Sequence, residues 1–175
     1  MSNITLYPYQ VEAEKRCASD IGQRGRALLD MASGLGKTFV ATALRLRLQQ
    51  QTEESFTTLF LTNSLLGLEY QLEEFCKFYG VGAFTFGFFT GKNKCLQSVD
   101  VLFSTFQSMH RYKNLFQPKQ FRLIVIDEAH HSHAPTYRKV IDYFQPDYLL
   151  GMTATSQRND GLKCEDIFGK ISYYY

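Results

Sequence analysis

The chain has 175 residues, 45% of them apolar and 21% charged, which suits one globular domain with a real core and excludes a disordered or fibrous chain. Nineteen basic and seventeen acidic side chains leave a net charge of +2. No strong field covers the whole chain, so any nucleic-acid partner needs a local basic patch.

In chain order, short apolar runs alternate with helical periodicity. Pro8 opens a helix in which Val11, Ala18 and Ile21 share a face until Gly22 stops it. Ala27, Leu28 and Leu29 then read as a short buried strand. Val40, Ala43, Leu44 and Leu48 mark an amphipathic helix, and residues 57–61 the next strand. Leu65, Leu68, Leu72, Phe75, Cys76 and Tyr79 repeat at helical spacing, again as one buried stripe. Residues 84–89 form an aromatic strand. Phe84, Phe86, Phe88 and Phe89 could stack bases, but packing between helix layers explains them equally well and is preferred.

Residues 99–103 make a fourth strand, after which Thr105 is placed to cap a short helix. Residues 123–126 are four branched apolar side chains, the pattern of a strand buried on both faces. Pro135 opens a helix with Tyr137, Val140, Ile141 and Phe144 inward, and residues 148–152 close the series as a strand. The only biased spots are Gln49, Gln50 and Gln51 and the three terminal tyrosines. Strands alternating with helices predict parallel pairing and right-handed crossovers, hence a three-layer α/β/α sandwich. Ligands of such sheets sit beyond the carboxyl ends of the strands, in the turns after Leu29, Leu61, Phe103, Ile126 and Met152.

The first of these turns reads Met31, Ala32, Ser33, Gly34, Leu35, Gly36, Lys37, Thr38, between a strand and a helix. Its glycines let backbone N–H groups face an anion, and the helix N-terminus adds its positive dipole end. In such a phosphate-binding loop Ser33 to Thr38 cradle the nucleotide, Lys37 reaches the β- and γ-phosphates, and the Thr38 hydroxyl ligates Mg²⁺. Met31 stands where the strict pattern has glycine, at a position that turns the chain and need not touch phosphate. The alternative is a Gly-rich turn with a solvated lysine.

The strand at 123–126 runs directly into Asp127, Glu128, Ala129 and His130. Asp127 at the exposed tip of an apolar strand can hold Mg²⁺ opposite Thr38, and Glu128 is the candidate general base. Without a metal, the pair would only favour a helix N-terminus.

In order and composition these motifs resemble the first RecA-like domain of a superfamily 2 helicase of the DEAD/DEAH-box group. They are most similar to the helicase domains of type III restriction enzyme R subunits and related ATP-dependent translocases. The resemblance spans nearly the whole sequence and implies a RecA-like P-loop NTPase fold with ATP and magnesium as cofactors. Leu6, Tyr7, Pro8, Tyr9 and Gln10 resemble the segment whose glutamine reads adenine; the alternative for Gln10 is an exposed first-turn residue. Asp127, Glu128, Ala129 and His130 match the DEAH box, and Thr153, Ala154 and Thr155 the T-A-T segment. The resemblance thereby implies that His130, Thr153 and Thr155 couple the nucleotide site to nucleic acid and a partner domain.

The turn Thr62, Asn63, Ser64, Leu65, Leu66 lacks the proline and basic residue usual in the family, and Asn63 and Ser64 remain as candidate phosphate contacts. Thr105 and Gln107 resemble another backbone-contact segment, with an N-capped surface helix as the alternative. Ser156 stands where relatives have proline, while Arg158, Asp160 and Gly161 fit the pattern that follows.

The expected function is therefore the ATP- and Mg-binding motor domain of a DNA helicase or translocase. It would hydrolyse ATP once completed by a second RecA-like domain of the parent chain, which residues 1–175 do not include. DNA is expected ahead of RNA, and a nuclease or modification subunit is a candidate companion. The alternative is a nucleotide-gated binding module that docks a protein or nucleic-acid partner without efficient turnover. Cys17, Cys76, Cys95 and Cys164 have no zinc-ribbon spacing and read as reduced thiols of a cytoplasmic protein. His130, His131 and His133 are not expected to form a zinc site, since no nearby cysteine completes a set. The turn Gly91, Lys92, Asn93, Lys94 reads as solvated. Neither a signal peptide nor a membrane span is expected.

Overall fold

Successive side chains of a strand point to opposite faces, so a strand apolar at every position must be covered on both sides. The computed structural model describes residues 5–79, 82, 84–131, 134–154 and 164–175. Its strands are β1 Arg26–Asp30, β2 Thr58–Thr62, β3 Phe86–Phe89, β4 Val101–Thr105, β5 Leu123–Ile126, β6 Tyr148–Thr153 and β7 Tyr173–Tyr174. They form one parallel sheet in the order β3-β4-β2-β5-β6-β1-β7.

Helices α1 Pro8–Arg24, α2 Lys37–Gln50 and α3 Leu65–Tyr79 cover one face, and α4 Phe106–Tyr112, α5 Pro135–Phe144 and α6 Glu165–Phe168 the other. Strand β5 shows the division. Leu123 and Val125 join the core of Val40, Leu44 and Phe75, whereas Ile124 and Ile126 join that of Met109, Val140 and Phe144. The expected three-layer α/β/α sandwich is the fold observed. No helix among the described residues is long and apolar enough to cross a membrane.

Several local expectations are corrected. Helix α1 passes through Gly22 and ends at Gly25, whose φ of 70° lets its N–H reach Ile21 O and close the helix. Its inward face carries Gln10, Ala13, Glu14, Cys17 and Ile21, with Val11 only half-buried. Polar members of that face are partnered: Glu14 forms a two-pronged ion pair with Arg47 of α2. Burial pushes the Cys17 thiol up to about 12, so it behaves as an apolar core atom.

The buried stripe of α3 is Leu68, Gln71, Glu74, Phe75 and Phe78, with Leu65 54% exposed. Strand β3 lies at the sheet edge, so Phe86 is 45% exposed, but Phe84 and Phe88 pack against one core and Phe89 is buried in the other, as core packing predicts. The terminal tyrosines are part of the fold, since Tyr173 and Tyr174 pair with Leu29 and Asp30. Helix α6 is too short to show a period, yet Phe168 fills the space above Gly151, where an added Cβ would lie 2.9 Å from its ring.

Candidate active site

Strands β1 and β5 flank β6, which brings the turns that follow them to the same edge of the sheet. Ser33, Gly34, Gly36, Lys37 and Thr38 from the first turn and Asp127 and Glu128 from the second line one cleft of about 210 Å³. Two motifs almost ninety residues apart in the chain thus face a common space. Gly34 and Gly36 have φ of 82° and 77°, a region that favours glycine. At Gly36 a Cβ would also meet Gln10 Nε2 at 2.5 Å. The backbone N–H groups of Ser33, Gly34, Gly36, Lys37 and Thr38 have no acceptor among the described residues. Such a run of free donors at a helix N-terminus is a receptor for an anion.

Lys37 folds back over its own loop, donating to Met31 O at 2.9 Å and Ala32 O at 3.3 Å. Thr38 is buried at the first turn of α2. Across the cleft, Asp127 Oδ1 accepts the Glu128 N–H at 3.0 Å and Oδ2 accepts Gln71 Nε2 at 2.7 Å. Burial, and then the neighbouring Glu128 charge, hold Asp127 above the usual carboxylate range. The backbone N–H, Lys37 and Gln71 oppose the rise. Glu128 has a φ of 52°, unusual for a residue with a side chain. His130 Nδ1 lies 3.1 Å from Thr153 Oγ1 and 3.2 Å from Glu128 Oε2, so the box histidine, the end of β6 and the carboxylate are in mutual reach. Thr155 lies outside the described residues, as do Ser156, Arg158, Asp160, Gly161 and His133.

Gln10 is buried beside the loop rather than exposed. Its Oε1 accepts the Tyr7 N–H at 3.0 Å and its Nε2 donates to Leu35 O at 3.0 Å, tying the N-terminal segment to the phosphate loop. The four residues read as nucleic-acid contacts fall into two groups. Ser64 Oγ accepts the Gly67 N–H at 3.0 Å, and Thr105 accepts the Ser108 N–H at 3.3 Å while donating to Ser108 Oγ at 2.9 Å, so both hydroxyls cap helices. Asn63 and Gln107 are exposed and line a separate groove, where Asn63 Oδ1 accepts the Tyr137 hydroxyl.

Gln71 was not anticipated. It is 1% exposed, lines the cleft, and keeps its second amide atom, Oε1, buried with no partner among the described residues. The signal was present as an amide three residues after Leu68 and four before Phe75, inside an otherwise apolar stripe. Tyr70 also lines the cleft and is 54% exposed.

The donor set fits a nucleotide with a hard cation. A hydroxyl and a carboxylate are the oxygen ligands magnesium takes, the orphaned N–H groups suit phosphate, and the unpartnered Gln71 Oε1 is an acceptor for a bound water. A glycine-bearing loop of free N–H donors, facing an acidic strand tip on a parallel sheet, has the form of the nucleotide-binding class of α/β domains. More particularly, residues 3–158 match the family described as type III restriction enzyme, res subunit, and the chain belongs to that family.

Its relatives agree. The putative ATP-dependent helicase IRC3 of Saccharomyces cerevisiae is 27% identical over 97% of this chain and 26% of its own length. The DNA 3'-5' helicase XPB of Mycobacterium tuberculosis is 28% identical over 93% and 29%. Among solved structures, a nuclease-deletion mutant of the Type ISP restriction-modification enzyme LlaGI, in complex with a DNA substrate mimic, superposes with a TM-score of 0.76. It covers 98% of this chain and 20% of its own at 21% identity, a likeness of fold. The chain is thus a RecA-like N-terminal domain of the superfamily 2 helicase and translocase ATPases, spanning little more than a quarter of the length of these curated relatives.

Proposed function

We propose that this chain binds ATP with Mg²⁺ and serves as the first motor domain of a DNA helicase or translocase, turning ATP over when a second RecA-like domain completes the site. The observation that carries this reading is the convergence of Lys37, Thr38, Asp127 and Glu128 on one cleft. The loop N–H groups from Ser33 to Thr38 hold the phosphates, and Lys37 leaves its two carbonyl partners to neutralise them. Thr38 and Asp127 would hold the magnesium ion, which supplies charge neutralisation at the phosphates. Gln71 keeps the Asp127 carboxylate oriented through its hydrogen bond. Glu128 orients the attacking water and takes its proton, while His130 and Thr153 sense the state of Glu128 through their shared contact. Gln10 fixes the N-terminal segment against the loop and presents its remaining N–H and lone pair to a purine edge.

Nucleic acid is the proposed track, with Asn63 and Gln107 as backbone contacts; the relatives named as DNA helicases favour DNA. The turn after β2 has no cation, which keeps a nucleotide-gated docking module as the competing reading. Two measurements on the complete protein separate these. Glu128→Gln should retain ATP binding and abolish turnover, and unchanged turnover would remove Glu128 from the role. Stimulation of ATP hydrolysis by DNA supports the motor, whereas tight nucleotide binding with no turnover supports the gate.

A further inference from the structure

A net charge of +2 means that a polyanionic partner must be met locally, and the turn after β2 offers no cation. Between α4 and α5 runs a groove of about 780 Å³ whose basic lining residues are His110, Arg111, Lys113 and Lys139. No carboxylate among the described residues lines it. Elsewhere on the surface, cations such as Arg16, Arg24, Lys77 and Arg122 sit against acidic partners. Arg111, Lys113 and Lys139 have none among the described residues.

The groove floor is Phe106 stacked on Tyr137, both buried. Its upper end is Asn63, whose oxygen is occupied by the Tyr137 hydroxyl, leaving the amide N–H donors without an acceptor among the described residues. His110 Nδ1 is buried with no partner among the described residues. Lys113 is partly engaged, at 3.4 Å from His110 O and above the Tyr143 ring, whereas Arg111 and Lys139 are exposed.

We propose that this groove is the missing basic patch: it receives the sugar-phosphate backbone of a single nucleic-acid strand. Arg111, Lys113 and Lys139 take successive phosphates, and Asn63 and Gln107 hold the strand where it leaves the sheet edge. The inference rests on the nucleic-acid reading above and extends it to α5 and the distal part of α4. Cations without an acidic partner beside amide donors, with no acidic side chain among the described lining residues to select a basic partner, suit phosphodiesters better than a protein surface. Contacts of this kind position a strand without reading its sequence.

The test is fluorescence anisotropy of a labelled oligothymidylate against the 175-residue chain, repeated at salt concentrations from about 50 to 200 mM. Each lost phosphate contact lowers the log–log salt slope by ~0.7 for a single strand. The double variant Arg111→Ala, Lys139→Ala should therefore reduce the slope by ~1.4 and weaken oligothymidylate and a mixed-sequence strand alike. Lys15→Ala, an exposed cation on α1, should leave the slope at its original value. Retained nucleotide binding shows that the double variant is folded. If it still binds the strand with an unaltered slope, the groove is overturned and the nucleic-acid reading survives. If the unsubstituted chain gives no saturable binding, both fall.

Discussion

Glu128 adopts a left-handed backbone that costs a residue with a side chain roughly 1–3 kcal/mol, and it does so at the position read as the general base. Beside it, Asp127 is held from a helix on the opposite wall by Gln71. An outer hydrogen bond of this kind typically carries about 10- to 100-fold in metal affinity. On the proposed reading, Gln71→Leu should weaken magnesium-dependent nucleotide binding by about 10-fold or more while binding in EDTA stays unchanged. Equal loss with and without magnesium would show that Gln71 only packs the cleft. The core of the site was legible at this scale because phosphate chemistry dictates residue types at fixed spacing within one turn: Ser33 to Thr38 in one, Asp127 and Glu128 in the other. Gln71 was not, since its partner lies 56 residues away and its neighbours Leu68 and Phe75 signal only a buried stripe. Ser64 and Thr105 show the converse difficulty, because a hydroxyl after a strand caps a helix and contacts a phosphate with the same chemistry.

Among the elements, α3 does two jobs. One part of its inward face presents Gln71 to the cleft, and the other packs Phe75 edge-on against Phe60 of β2 and Phe103 of β4. Phe75 is fully buried, so Phe75→Ala should cost about 3–5 kcal/mol of stability. Urea unfolding reads this directly, and a loss under about 1 kcal/mol would contradict the packing described. Strand β5 was legible because four branched apolar residues in succession have few other homes. The face of α3 was legible at Leu68 and Phe75, with Leu72 and Tyr79 packed half-buried against the same core, whereas Leu65 continues the period into a position that is exposed. Strand β7 escaped because two residues carry no period, and their place is set by the free edge of β1. The end of α1 was misplaced because a glycine inside a helix is tolerated, and only Gly25 takes the positive φ that closes it.

For the whole molecule, sheet order explains how chemistry far apart in sequence is assembled. The strand order puts β2 and β4 on one side of β5 and β6 between β5 and β1, so the phosphate loop and the acidic turn end at the same edge. The groove between α4 and α5 opens beside the turns after β2 and β4, which places the proposed strand path close to the nucleotide cleft. On the proposed reading turnover needs a second RecA-like domain, and an arginine supplied by a partner is worth on the order of 10³ to 10⁵ in phosphoryl-transfer rate, so binding rather than turnover is the property to measure in this chain. The direct measurement is titration of the purified chain with a fluorescent ATP analogue and magnesium, alongside Lys37→Ala. Saturable binding that weakens by about 10-fold or more in the variant is the predicted result. No saturable signal, or equal affinity in the two proteins, would contradict it.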